Sequence, residues 1–318
     1  MTARHLLSVA DLGVEGIGEV MNLTDSFVTV SSRALPKVPA LRGKTVVSLF
    51  FEDSPRTRLS FEAAARRLSA DVMSFAASTS SVNKGESLRD TVETVEAMGI
   101  DAVVVRHRTA GVPWQVAAWL HGAAVVNAGD GGHEHPTQAL LDVYTIRQCL
   151  GLRGAGDKML AGLRIGIVGD IRHSRVARSG VLAFSALGAE VMLVAPPTLL
   201  PASLAGWPVE VSTAIDQVLP KLDVVYVLRL QRERMTEALL PSLREYTATF
   251  GLTRQRADTL APGALIMHPG PVNRGVEMAA EVAELPGSVI TKQVANGVAV
   301  RMAVLYLLVG SGVGVGAP

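Results

Sequence analysis

Ser54, Arg56, Thr57 and Arg58 stand in one short run, Ser-Pro-Arg-Thr-Arg, directly after an apolar strand-like stretch and at the start of a helical pattern. A helix N-terminus offers unpaired backbone N–H groups and the positive end of the dipole. Hydroxyls and guanidiniums added there make a cradle for phosphate or another anion. Pro55 suits the first turn, where a missing N–H costs little. A serine cap followed by basic residues on a solvated face would have the same spacing. Arginines in a first turn oppose the dipole, however, and a purely structural helix more naturally carries Asp or Glu there. A bound anion removes the conflict.

Other polar clusters follow strand-like runs. Arg106-His107-Arg108 comes after one, and a solvated basic turn is the plain alternative for it. Residues 129–138 contain His133, Glu134, His135, Thr137 and Gln138. His-x-His on a loop is a weak metal signal without further ligands at suitable spacing, so no metal is expected. His135 precedes Pro136 at a helix start, where the dipole favours a neutral imidazole that donates a hydrogen bond. Residues 78–86, with Ser80 and Lys84, read as a polar surface loop, a place where donated residues also occur. The Gly166–Asp170 turn lacks the third glycine of a dinucleotide fingerprint. Arg175 lies on the next helical pattern, and Arg229 and Gln231 alternate after a later strand. Arginine suits bidentate carboxylate recognition, so several at strand ends would suit a dianionic substrate. His268-Pro269-Gly270-Pro271 reads as a rigid turn in which an X-Pro bond can be cis.

The elements that must position these groups alternate. Strand-like runs at 46–51, 72–75, 102–105 and 124–127 are separated by helical patterns at 57–68, 87–98 and 113–120. A helix opens at Pro136 and runs to about Cys149, and a Gly-rich stretch, 151–156, interrupts the pattern. A second series has strands at 164–169, 191–195, 223–228 and 264–267, a helix at 175–187 and a last helix at 292–309. This predicts α/β architecture: two doubly wound parallel-sheet domains with the active site in the cleft between them. The expected domains are 1–135, with helix 292–309 packing back on it, and 136–291.

A chain of 318 residues with 48% apolar content is long enough for both. Its 30 basic and 29 acidic residues leave a net charge of +1, which argues against nucleic acid as a partner. Cys149 is the single cysteine, so no intrachain disulfide is expected. No secretory leader pattern is seen at the first residues, and the late apolar stretch 302–309 is too short for a bilayer. A soluble, cytoplasmic protein without membrane contact is expected.

Taken in order, Ser-Pro-Arg-Thr-Arg (54–58), Lys-Gly-Glu (84–86), Arg-His (106–107), His-Pro-Thr-Gln (135–138), Arg-Leu-Gln-x-Glu-Arg (229–234) and His-Pro-Gly-Pro (268–271) resemble the aspartate/ornithine carbamoyltransferase family over nearly the whole chain. The resemblance implies transfer of a carbamoyl group from carbamoyl phosphate to an amine, with no cofactor. It implies that Ser54, Arg56, Thr57, Ser80 and Lys84 hold the phosphate. Arg106, His135 and Thr57 would meet the carbamoyl oxygen, while Gln138 and the backbone of Gly270 and Pro271 would meet the rest of the carbamoyl group. Arg56, Thr57, Lys84, Arg106 and His135 are thereby the expected catalytic residues. Arg175, Arg229, Gln231 and Lys84 match the family's aspartate-binding positions, making L-aspartate the expected acceptor and de novo pyrimidine synthesis the expected pathway. The ornithine branch typically has His-Cys-Leu-Pro where this chain has His-Pro-Gly-Pro. The family also supplies Ser80 and Lys84 from a neighbouring subunit, implying a homotrimer with shared sites, to which regulatory or pathway-partner chains can bind.

Two positions depart from the family pattern. Pro55 replaces the usual threonine, removing a hydroxyl and an N–H from the cradle, and Gly270 replaces the leucine of many members. Three readings compete with an aspartate transferase: another amine acceptor such as ornithine, a nicotinamide-dependent dehydrogenase using residues 166–170, and a non-catalytic ligand-binding protein.

Overall fold

A computed structural model describes residues 4–76, 87–235 and 237–310. The chain divides into two compact units, Met1–Leu141 with Ala295–Pro318, and Asp142–Val294.

In the first unit, helix α1 (Gly13–Ser31) precedes the alternation visible in the sequence. Its buried residues Ile17, Val20, Met21, Thr24 and Phe27 recur at helical spacing. Strands β1 (Thr45–Phe50), β2 (Asp71–Ala76), β3 (Ala102–His107) and β4 (Ala124–Asp130) alternate with α2 (Pro55–Arg67), α3 (Leu88–Ala97) and α4 (Val112–Trp119). Pairing is parallel throughout, in the order β2-β1-β3-β4. Strands buried on both faces need nearly continuous apolar runs, and β4 is buried at every position. Val47, Leu49, Val103, Val105 and Val125 pack with Val92, Val95, Val112 and Val116 as the core under α3 and α4.

Helix α5 (Pro136–Cys149) carries the chain from the first unit into the second. There β5 (Arg164–Val168), α6 (Arg175–Ala186), β6 (Glu190–Val194), β7 (Val209–Ser212), α7 (Ile215–Val218), β8 (Val224–Val227), α8 (Leu243–Phe250), α9 (Arg254–Ala257) and β9 (Leu265–Met267) follow. This sheet is also parallel, in the order β7-β6-β5-β8-β9. In both sheets the chain builds outward on one side of its first strand and then crosses to the other. With right-handed crossovers, that reversal puts helices on both faces.

Helix α10 (Ile290–Leu305), extended by a π turn at Tyr306–Gly310, returns the chain to the first unit. The stretch 302–309 covers only the end of this helix. Ile290–Gly310 is long and apolar enough to cross a membrane by length and composition, and most of it is buried inside the protein. Its buried Arg301 donates from Nη1 to Ser60 Oγ at 2.7 Å and lies over the Phe61 ring at 5.0 Å. Those partners on α2 mark it as a core helix.

Candidate active site

The switch point of the first sheet lies between β1 and β3, where Phe50 is in register with Arg106 and Phe51 N–H donates to the Arg106 carbonyl at 2.9 Å. Open α/β sheets bind ligands at the carboxyl ends of the strands flanking such a point. Helix α2 starts there, with Ser54 at its N-cap and Pro55 in its first turn. Ser54 makes no side-chain cap; its hydroxyl donates to Thr57 Oγ1 at 3.0 Å instead. The first turn holds no acidic residue. Arg56 is exposed and makes no hydrogen bond or ion pair with any described residue. Arg58 lies 4.0 Å from Glu62, an i,i+4 contact along the helix surface.

Arg106 is not part of a solvated turn. It is the penultimate residue of β3, with a side chain only 13% exposed. Its Nη1 donates to the Ala128 carbonyl at 3.0 Å and its Nε is 3.4 Å from Glu52 Oε2. Arg108, two residues on, is exposed.

After β4, two buried carboxylates shape the loop that ends at His135. Asp130 accepts from Asn127 Nδ2 at 2.9 Å, Glu134 N at 3.1 Å and Gly111 N at 2.7 Å. Glu134 accepts from Ser8 Oγ at 2.5 Å and Val9 N at 2.9 Å, while burial pushes its carboxyl above the usual range. His133 pairs with Asp130 at 3.3 Å and meets Trp114 edge-on. His135 is buried, and its pKa lies well below the ordinary 6.5, first through loss of hydration and then through the cations of Arg106 and Arg301. A neutral imidazole with one N–H to donate follows. Burial is the first cause of that state, ahead of any helix dipole. Thr137 and Gln138 are buried in the first turn of α5.

The second sheet repeats the arrangement at its own switch point, between β5 and β8. Arg175 is buried at the first position of α6, whose N-cap Ser174 accepts from Ala177 N at 3.1 Å. Gln231, beyond β8, donates from its backbone to Asp170 Oδ2 at 3.1 Å and from Nε2 to the His173 carbonyl at 3.1 Å. Asp170 also binds His173 through its ring and backbone nitrogens. One buried aspartate thus ties the loop before Arg175 to the segment carrying Gln231. Arg229 pairs with Glu233 and Arg234 donates to the His173 carbonyl at 3.2 Å.

The glycines of the Gly166–Asp170 turn are explained by packing. A Cβ on Gly166 would meet Leu222 at 2.3 Å, and one on Gly169 would meet the Tyr246 hydroxyl at 3.0 Å and the Leu228 carbonyl at 3.1 Å. Their close approach to Leu222 and Leu228, which flank β8, and to Tyr246 of α8 accounts for them without a pyrophosphate.

Beyond β9, the Gly270–Pro271 peptide bond is cis and Gly270 has φ of +67°. A leucine would be strained at that φ, so glycine relaxes this turn. Ser80 and Lys84 lie outside the described residues.

Residues 4–148 match the model of the aspartate/ornithine carbamoyltransferase carbamoyl-P binding domain, and residues 161–308 match that family's Asp/Orn binding domain. The chain belongs to the aspartate/ornithine carbamoyltransferase family. It is 58% identical over 306 residues to a protein named aspartate carbamoyltransferase catalytic subunit from Parafrankia sp., covering 96% of both chains. Among solved structures, the Trypanosoma cruzi aspartate transcarbamoylase in complex with carbamoyl phosphate and aspartate is similar, with a TM-score of 0.83 and 30% identity over 95% of this chain and 94% of that one. The catalytic subunit of the M. jannaschii enzyme has a TM-score of 0.83 and 32% identity over 98% and 100%.

Sequence reasoning missed several members of these carbamoyltransferase-family clusters. Glu52 stands two residues before the Ser54–Arg58 motif, and its place beside Arg106 is visible only in the fold. Asp170 stands in the glycine turn, where a nucleotide role drew notice away from its carboxylate. Arg301, one of the cations acting on His135, had no local signal, being an arginine in an otherwise apolar helix.

Proposed function

We propose that this chain is an aspartate carbamoyltransferase catalytic chain, which transfers the carbamoyl group of carbamoyl phosphate to the amino group of L-aspartate. The observation that carries this is the pairing of chemistry with topology. An anion cradle whose Arg56 has no partner among the described residues sits at one sheet's switch point, and an arginine- and amide-bearing cluster sits at the other's.

Arg56, Ser54 and Thr57 hold the phosphate at the positive end of α2. The aspartate amine attacks the carbamoyl carbon, and the carbonyl oxygen takes on negative charge. Donors from Arg106, neutral His135 and Thr57 stabilise that oxyanion, the effect on which fixed donors act most strongly. The C–O bond to phosphate then breaks, the carbonyl re-forms, and phosphate leaves with the proton lost by the amine. Gln138 and the Gly270–Pro271 backbone orient the carbamoyl group. Arg175, Arg229 and Gln231 bind the aspartate carboxylates, and the remaining acceleration comes from alignment of two substrates.

The family pattern further supports a cytoplasmic homotrimer that needs no cofactor, with Ser80 and Lys84 entering the site of a neighbouring subunit. It also supports a place in de novo pyrimidine synthesis.

The deciding experiment incubates purified protein with carbamoyl phosphate and either L-aspartate or L-ornithine. Carbamoylaspartate and phosphate are expected with aspartate. Product with ornithine alone would transfer the chain to the other branch, which the Pro-Gly at 269–270 disfavours.

A further inference from the structure

A buried chain of hydrogen bonds runs from the helix that links the two units to the Gly270–Pro271 turn. Asp142 on α5 receives the Tyr226 hydroxyl on Oδ2 at 2.6 Å and the Gln293 amide on Oδ1 at 2.7 Å. Gln293 Oε1 accepts the backbone N–H of His268 at 3.0 Å. His268 Nδ1 accepts the backbone N–H of Gly270 at 2.8 Å, and its Nε2 lies 3.3 Å from Glu277 Oε1. Asp142, Tyr226, Gln293 and His268 are all buried.

The polarity of this chain has one direction. The Gln293 amide meets a carboxylate oxygen on one side and a backbone N–H on the other. Turned over, it would set oxygen against oxygen and donor against donor. A carboxylate at position 142 therefore dictates which atom Gln293 presents to His268. The Gly270 N–H is in turn held by the ring of that same histidine.

We propose that Asp142 is a positioning residue for carbamoyl phosphate, acting through Gln293 and His268 to set the Gly270–Pro271 backbone. The proposal rests on the assignment of that turn to the carbamoyl group. Asp142 touches no substrate. It resides on α5, the helix whose first turn carries Thr137 and Gln138.

Asp142→Asn removes one acceptor; with its amide nitrogen facing Gln293, the Gln293 amide turns and takes the acceptor away from His268. The Michaelis constant for carbamoyl phosphate is expected to rise about tenfold, the equivalent of one buried hydrogen bond. Inorganic phosphate, read by titration calorimetry on the intact protein, should bind within about twofold of the parent, because none of its proposed ligands belongs to this relay. The double variant Asp142→Asn, Gln293→Glu reverses the polarity with every donor and acceptor matched, and should return the constant to within about threefold of the parent. Tyr226→Phe gives a milder perturbation, expected at about threefold on carbamoyl phosphate and none on phosphate, should the asparagine variant not fold. Equal weakening of both ligands, or no rescue by the double variant, would overturn the proposal. Gly270→Ala separates the two layers of the argument. If it weakens carbamoyl phosphate binding while Asp142→Asn does not, the relay is wrong. If it has no effect, the assignment of the turn is wrong.

Discussion

Pro55 stands at the place in the proposed phosphate cradle where this chain gives up a donor. Its ring fits the first turn of α2, and the Ser54 hydroxyl, free of capping duty, turns to Thr57. Pro55→Thr restores a hydroxyl and a backbone N–H. A hydrogen bond to a charged group contributes about 1.5–3 kcal/mol, so phosphate should bind at least about tenfold more tightly by calorimetry. An unchanged affinity would mean that another group already fills the position. His135 makes a different kind of contribution. In its proposed role, a neutral imidazole that meets the carbamoyl oxygen most strongly in the transition state affects rate more than binding. His135→Ala should lower kcat about a hundredfold and weaken carbamoyl phosphate binding by less than about tenfold, measured by steady-state kinetics beside direct titration.

At the level of elements, α10 does more than close the chain. Its Gly297 leaves little room for a side chain: a Cβ would meet the end of the Arg301 side chain, Nη1, at 2.7 Å and Leu141 at 3.1 Å, so the guanidinium would have to shift. Arg301 is itself held by Ser60 and Phe61 of α2, and its charge is one of the two that lower the His135 pKa. Gly297→Ala gains up to about 1 kcal/mol of helix propensity but forces the guanidinium from Ser60, at about 1–3 kcal/mol. A lower melting temperature is expected. The His135 imidazole pKa should also move upward in an NMR titration, because the cation has been displaced. Several helices were readable from sequence: Pro136–Cys149 begins at the proline that opens it, and α6 begins at Arg175 after its serine cap. Such ends are local chemistry, written in a few consecutive residues. The edge strand β7 and helices α1, α7, α8 and α9 were not read: β7, α7 and α9 are four residues each, α8 spans eight, and α1 lies outside the β–α alternation.

For the molecule as a whole, burial holds His5, His107 and His135 below their ordinary pKa of 6.5. The unfolded chain takes up protons below about pH 6.5 that the folded chain refuses, so stability falls as the pH drops from there towards the folded pKa values. Glu134, raised above 4.5, works in the opposite sense: its contribution declines as pH rises from 4.5 through its folded value. Thermal denaturation between pH 7 and 5 should show the net loss, and His135→Gln should flatten the curve. Assembly is tested by exchange. Arg56→Ala and Lys84→Ala proteins, each inactive, should regain activity when mixed and allowed to exchange subunits, because a trimer with shared sites then contains some intact ones. Proven exchange with no recovered activity would place Lys84 outside a neighbour's site.

The sequence alone determined the chemistry on offer and the α/β class. Anion-seeking residues at a helix start, arginines after strands and alternating apolar runs are short-range patterns, each complete within about a dozen residues. Tertiary structure decided which of those residues are withdrawn from water and what holds them. Arg106 changed from a candidate for a solvated turn into a strand residue facing Glu52, and the neutral state of His135 came first from burial. Strand order, which brings each cluster to its sheet's switch point, came from pairings between distant segments. Asp142 meets Tyr226 across 84 residues and Gln293 across 151, and no local pattern reports such a contact. Desolvation and long-range hydrogen bonding depend on the packed chain, so they become visible only once it has folded.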